Sequence, residues 1–439
     1  MSKQDKSNKK AINIHAEDCF IKADKLTDGI ADMSLEQASQ TMKKASKCYE
    51  DGLDLEPEEG DAWYNWGMAL AELGELAEEL DPALSQASLK LAIEKYKQAL
   101  KIQPDNHYAL NNLGIAHSDL ADHHEGNERE AHLRRAIRHY KAALAIKPSK
   151  RRAIYNWAIA LVKLAEQQEQ GDKIASLESA LAKYQSLHDK APKDTDILLK
   201  LGLTYCDLAD AQTSKQSKAS LKHAIKTFKK LHKLDPTYDA PLRYWADALS
   251  DLADFHEADE RKALLQKAIR KHDAALRLDP SDHEGFFNWA HALDKLAAMK
   301  KGKRRIKALH AVMDKYNEAI EVKPDYSQAI CNLGATLGEL ADMQKGEDRK
   351  ASLKAAIQHS KHALQIAPDD DKAMFNWGHA LNKLADLNEG TKRKKLLKKA
   401  IKKFEATLAI NPNHGAGEDL SEALKDLASM KATQQQSGH

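Results

Sequence analysis

Apolar side chains recur at helical spacing twice within residues 105–148. In HYALNNLGIAHSDLADH (107–123) they fall at Leu110, Leu113, Ala116, Leu120 and Ala121, the i, i+3, i+4, i+7 stripe of an amphipathic helix. The glycine-bearing HHEGNE interrupts the stripe. It resumes in REAHLRRAIRHYKAALAIKP through Leu133, Ala136, Ile137, Tyr140, Ala143, Leu144 and Ile146. Pro148 closes it, because a proline pushes its predecessor out of the α region. The pattern predicts a pair of helices joined by a turn, and no alternating strand pattern recurs anywhere in the chain.

The same element returns at a fixed step. Pro104, Pro148, Pro192, Pro236, Pro280, Pro324, Pro368 and Pro412 stand 44 residues apart. Leu120-Ala121-Asp122 is echoed in the same register by Leu-Ala-Asp at 208–210, 252–254, 340–342 and 384–386. Pro57 precedes Pro104 by 47, the surplus sitting near an LDPA insertion around Pro82. A period of this size signals stacked supersecondary units, each needing its neighbours to bury its apolar face. Length alone would suggest about three domains of roughly 150 residues, and the periodicity overrides that. The expected organisation is a flexible basic arm at 1–15, a divergent first repeat at 16–57 and eight repeats over 58–412. A capping helix follows at 413–432, then a disordered tail at 433–439.

DAWYNWGMAL…AIEKYKQALKIQP (61–104) resembles the tetratricopeptide repeat (TPR) family. Trp63, Trp66, Gly67 and Leu70 match its first-helix positions, and Ala92, Tyr96, Ala99 and Pro104 its second-helix positions. Later units match through Leu113, Gly114, Ala136, Tyr140, Ala143 and Pro148, and through Leu333, Gly334, Ala356, Ala363 and Pro368. The resemblance covers 58–412 and implies an all-α fold, a right-handed α-solenoid of stacked helix-turn-helix repeats. The family's repeat is about 34 residues, so some ten are added here between the two helices. Divided evenly they would lengthen each by roughly 7 Å.

With Trp66 in slot 7 of its helix, the core stripe is slots 4, 7, 8 and 11, and slots 2, 6, 9 and 13 project from the other side. Asparagine is a poor helix former, yet it fills slot 6 in six of the eight units: Asn65, Asn112, Asn156, Asn288, Asn332 and Asn376. These amides form a ladder along the inner wall. Two roles compete: bonding the neighbouring repeat, or holding the main chain of an extended peptide. In the TPR family, concave asparagines often contact ligand backbone, and chaperone-binding members grip a C-terminal carboxylate with a Lys/Asn/Asn/Lys/Arg set. Asn112, Arg152 and Asn156 match part of that set, as do His291, Asn332, Lys372 and Asn376, but Tyr64, Met68 and Phe287 occupy positions it needs. His379 shares the slot of His291 two repeats on.

Charge is uneven beneath a net of +2, which by itself gives no case for a nucleic-acid or membrane partner. Cys48–Leu89 contains no Lys or Arg and is rich in Asp and Glu. MKKGKRRIKALHAVM (299–313) and TKRKKLLKKAIKKF (391–404) contain no acid. Their Lys300, Lys301, Lys303, Arg304, Arg305, Lys392, Arg393, Lys394 and Lys395 make a candidate patch for an anionic partner, against the plain alternative of a solvated face. Head-to-tail association of acidic and basic ends is the other alternative.

Candidate chemistry is sparse. The six tryptophans lie on the apolar stripe and are expected in the core. His123–His124 and His359–His362 lack a carboxylate–His metal motif. There is no GxSxG, no P-loop and no GxGxxG after a strand, so no enzyme and no cofactor are expected. Four dispersed cysteines, no signal-like segment and no long apolar run point to a cytoplasmic setting without membrane insertion. The chain is thus read as a scaffold or adaptor that binds a protein or peptide in its groove. A self-assembling homo-oligomer and a chaperone-linked adaptor are the alternatives, and nucleic acid is not the expected partner.

Overall fold

The structure, a computed structural model, describes residues 3–436, with side chains from 13 to 430. Nineteen α-helices and one 3₁₀ turn (Ile30–Asp32) account for the regular structure of those residues. The chain divides into two units, 1–220 and 221–439, with the boundary inside α10 (Ser214–Leu234). Unit 1 pairs α1 (Lys3–Thr27) with α2 (Leu35–Leu55), α3 (Gly60–Ala77) with α4 (Pro82–Ile102), α5 (His107–Asp122) with α6 (Gly126–Ile146) and α7 (Arg151–Ala165) with α8 (Gln170–Lys190). α9 (Thr195–Ala211) follows. Unit 2 pairs α11 (Ala240–Ala253) with α12 (Ala258–Leu278), α13 (His283–Ala298) with α14 (Lys303–Val322), α15 (Ser327–Asp342) with α16 (Gly346–Ile366) and α17 (Asp371–Ala385) with α18 (Gly390–Ile410). α19 (Ala416–Gln436) packs on α18 and α17.

Each unit is a stack of helical hairpins, the architecture of an α-solenoid. Successive first helices touch one another, as α3 with α5, α5 with α7, α11 with α13 and α15 with α17. Successive second helices make no comparable contact among the described residues. Within each unit the first helices therefore line one face and the second helices the opposite one.

Local chemistry sets the boundaries. After the proline turn an Asn or Asp accepts the first orphan amides: Asn106 Oδ1 from Tyr108 and Ala109, Asp282 from Gly285 and Asp370 from Ala373. Caps of this kind contribute about 1 kcal/mol each. Second helices start differently, on a glycine with positive φ at Gly126, Gly302, Gly346 and Gly390 (54–58°). In α10 the equivalent residue is Ser214, held at φ 39°.

Hairpins close around one buried ring. Tyr49, Tyr96, Tyr140, Tyr184, Phe228, Tyr316 and Phe404 occupy one slot of successive second helices and are at most 2% exposed. His272 takes that slot in α12 and Ser360 in α16, both fully buried. Burying such a ring contributes about 2 kcal/mol, and it fits because the facing first-helix residue is small. A Cβ added to Gly114 would sit 2.6 Å from Tyr140 Cε1.

Several expectations need correction. The arm expected at 1–15 is helical from Lys3, the start of α1. The tail expected at 433–439 continues α19 to Gln436, and residues 437–439 lie outside those described. The added length is not shared evenly: from α3 to α18 first helices run 14–18 residues and second helices 20–21. Nor are the tryptophans uniformly core. Trp66 is 5% exposed, whereas Trp157, Trp245, Trp289 and Trp377 are half-buried. Slot 7 lies at the edge of the apolar stripe, where a lysine of the hairpin's own second helix crosses the indole. Lys95 lies over Trp66, Lys183 over Trp157, Lys271 over Trp245, Lys315 over Trp289 and Lys403 over Trp377, at 3.5–4.2 Å. Such a pair is worth about 0.5–2 kcal/mol.

Replacing Gly114 by Ala should overpack the α5–α6 hairpin and cost about 1–3 kcal/mol. Ser214→Gly should relieve left-handed strain and gain about 1 kcal/mol. Urea midpoints followed by circular dichroism check both.

Candidate functional site

The inner face is built from first-helix slots that the core leaves free, and its asparagines mostly reach backwards. Asn65 Nδ2 donates to Asp24 (3.3 and 3.4 Å), Asn112 to the Tyr64 hydroxyl (3.1 Å) and Asn288 to Asp247 Oδ2 (3.2 Å). Asn332 donates to the Tyr316 hydroxyl (3.4 Å) and Asn376 lies 3.5 Å from Cys331 Sγ. Each of these partners belongs to the preceding hairpin. Asn156 differs: its Nδ2 is buried and has no hydrogen-bond partner.

A second set of links went unread in the sequence. Lys163 pairs with Asp122, Lys383 with Asp342, and Lys295 with Asp254 (2.9 Å) and Asp251 (3.4 Å). In each case a slot-13 lysine meets the carboxylate of the previous repeat's first helix. The signal was present, since the Leu-Ala-Asp triplet and these lysines both keep the 44-residue register. Partly exposed pairs of this kind contribute about 0.2–1 kcal/mol each.

Cavities open between these links. In unit 1 a cavity of about 320 Å³ is lined by Glu75, Glu78, Asp119, His123, Arg152, Asn156 and Lys163. Burial pushes the Asp119 carboxyl up to about 7 despite the opposing Lys163. A neighbouring cavity of about 490 Å³ includes Asn65, Asp24 and Glu72. In unit 2 about 410 Å³ is enclosed by Glu284, Phe287, Asn288, Asn332, Asp370 and Lys372. A smaller space of about 180 Å³ meets Asn376, His379, Glu339 and Lys383. Burial likewise raises Asp207 to about 6 and Asp247 to about 7. The inner face thus presents amides, aromatic edges and partly desolvated carboxyls together.

Of the expected site residues, Arg152 and Asn156 meet in one cavity, as do Asn288, Asn332 and Lys372 in another. Asn112 is occupied by Tyr64 and Asn111. His291 is exposed and stacked on Phe287. His379 stacks on Phe375 and faces Asp419 of α19 at 3.0 Å.

The basic patch is smaller than its sequence suggests. Arg305 pairs with Glu339 (2.6 Å) and Arg393 with Asp426 (2.6 Å), so both are turned to internal acids. Lys300 and Lys394 are half-buried; Lys301, Lys303, Arg304, Lys392 and Lys395 are exposed.

A histidine row was also missed. His117 fills slot 11, where Leu70, Leu161, Leu249, Leu337 and Leu381 stand in other repeats, and it is 4% exposed. Its Nδ1 lies 3.1 Å from His132 Nδ1; His139 stacks on His117 and His124 on His132. Burial lowers His117 to about 3 and His139 to about 4, helped by the neighbouring rings and cations, Lys97 among them. Among the described residues no group of three or more ligating side chains is arranged to hold a metal ion. None of the described helices is long and apolar enough to cross a membrane.

Two family models match. The TPR repeat model matches residues 84–120, spanning α4, the Pro104 turn and most of α5. The model of the plant-specific mitochondrial import receptor subunit TOM20 matches 229–292 and 347–430. No curated protein matches the chain. Among solved structures, the C-terminal part of a TPR repeat-containing protein from Cytophaga hutchinsonii is 14% identical, covering 69% of this chain and 98% of its own, with a TM-score of 0.45. A tetratricopeptide repeat protein from Parabacteroides merdae is 16% identical over 70% of this chain and 98% of its own, with a TM-score of 0.43. YrrB, described as a TPR protein with an unusual peptide-binding site, is 17% identical over 54% and 97%, with a TM-score of 0.35.

The histidine row sets a pH dependence. The folded rings stay neutral while unfolded rings protonate near 6.5, so the folded state binds fewer protons below that value. The histidines' share of the stability should therefore fall as pH drops from about 6.5 toward 4, while the raised carboxyls of Asp119, Asp207 and Asp247 contribute in the opposite sense. His117→Leu should flatten this loss, read as the difference in thermal midpoint between neutral and acidic buffer.

Proposed function

We propose that this chain, a member of the tetratricopeptide-repeat family, is a non-enzymatic scaffold that holds an extended segment of a partner protein on the inner face of its helical units. The observation that carries this is the cavity of about 320 Å³ that brings Asn156 beside Arg152 and Asp119, with the buried Nδ2 of Asn156 left without a partner at its wall. An amide offers donor and acceptor together, which matches a peptide backbone. Arg152 and the carboxyls of Glu75 and Glu78 then read the partner's flanking charges. In unit 2 the cavity of Asn288, Asn332 and Lys372, with Phe287 as an apolar wall, fits the same role.

The chaperone-linked reading is weakened, because Asn112 is spent on Tyr64. Self-assembly through the basic end is weakened by the inward pairing of Arg305 and Arg393. We place the protein in the cytoplasm, its four cysteines being free thiols. A mitochondrial surface is the alternative, motivated by the match over 229–292 and 347–430, and fractionation of the tagged protein distinguishes them.

Asn156→Ala should abolish capture of inner-face partners while leaving the thermal midpoint within about a degree, since no internal bond is lost. Asn288→Ala removes a bond to the partly exposed Asp247 carboxyl and should cost about 1 kcal/mol of stability. Unchanged partners with Asn156→Ala, measured by quantitative pull-down, would refute the groove reading.

A further inference from the structure

The second helices make the opposite face, and its charge is hidden by the near-neutral total. In unit 2, α12, α14, α16 and α18 carry 23 Lys and Arg against nine Asp and Glu. The first helices α11, α13, α15 and α17 carry four against seven. The imbalance peaks on α18, which has eight cations and one acid, Glu405. Lys395, Lys398, Lys399 and Lys402 are exposed there and none is in an ion pair among the described residues.

A separate observation concerns the ends of these helices. Leu234, Leu278, Val322, Ile366 and Ile410 recur every 44 residues, and each is 37–44% exposed. On α18, Ile410 lies three turns beyond Lys399 on nearly the same side of the helix. Five aliphatics at one position of five successive helices give the basic face an apolar margin.

Three kinds of polyanion could meet this face, and the two observations choose between them. Single-stranded nucleic acid would use aromatic platforms, but Trp245, Trp289 and Trp377 are covered by Lys271, Lys315 and Lys403. Phosphate contacts make no use of exposed aliphatics, and a purely acidic tail would leave them in water. An anionic bilayer uses both, since lysines are drawn to its negative headgroups and aliphatics enter the interface. We propose that the second-helix face of residues 221–439 docks on the surface of an anionic lipid bilayer. The lysines of α18 supply the attraction and the aliphatic row supplies interfacial contact. No helix inserts, and the inner face of the unit is left free. This reading stands independently of the inner-face reading.

The test is co-sedimentation of the full chain with phosphatidylcholine vesicles, alone or with about a third phosphatidylserine. The unaltered chain should bind only the anionic vesicles, and binding should weaken with salt. Each lysine near such a surface is worth roughly fivefold in affinity, so K395E/K398E/K399E/K402E should lose at least about a hundredfold. Leu278→Asp combined with Ile410→Asp should lose about tenfold, with circular dichroism confirming the fold of both variants. Failure of the unaltered chain to bind anionic vesicles overturns the proposal without any variant. Binding indifferent to the aliphatic pair, tighter retention by a single-stranded oligonucleotide, or self-association that removes vesicle binding would overturn it too.

Discussion

Most hairpins of this chain depend on a small residue facing a ring, the α15–α16 pair with its Ser360 being the exception. In each hairpin a first helix can approach the second only as closely as slot 8 allows, and Gly67 against Tyr96 or Gly378 against Phe404 marks that limit. The contact fixes the rotation of both helices. Once slot 8 faces the ring, slot 7 is carried to the helix edge, where a lysine stem crosses the indole. Slots 6 and 13 are carried to the far side, where they meet the preceding repeat. One steric condition, repeated along the chain, therefore orients apolar, cationic and amide side chains together.

What joins one hairpin to the next on the inner face is polar. Amide bonds from Asn65, Asn112 and Asn288 and ion pairs from Lys163, Lys295 and Lys383 all run backwards to the previous repeat. Each is modest in energy, but all have the same sense, so they define the stacking geometry while the buried stripe supplies most of the free energy. A recognition surface assembled from stacking bonds has few spare polar groups. That is why the buried amide of Asn156, left without a partner, stands out.

Much of the fold was legible because period and helix stripe are both read from one-dimensional spacing. The hairpins, the proline turns and the Tyr96 and Tyr140 positions of the second helices were visible in this way. The unequal helix lengths were not, because the junction is set by the φ of Gly126 and its equivalents rather than by any apolar position. The site was less legible. Spacing put the asparagines on one side but could not say that Tyr64 and Asp247 would be waiting for two of them. His117 departs from leucine in its slot, but the row it forms with His132 and His139 follows no metal motif and comes from neighbouring helices of one hairpin. Net charge misled for a similar reason. It sums over faces that the fold keeps apart.

The loops between the helices of a hairpin carry a consequence of their own. A side chain placed at Gly126, Gly302, Gly346 or Gly390 would meet nothing within 4 Å. The height of a hairpin is therefore decoupled from the lateral packing that stacks it, as storey height in a building is decoupled from its floor plan. These four turns stand clear of the neighbouring hairpins, while bonds such as Arg129 to Glu166 and Gln170 to the Ala211 carbonyl tie other parts of the rim across repeats. Hairpins of slightly different height could stand side by side in one array, as the 47-residue step from Pro57 to Pro104 beside the 44-residue steps illustrates.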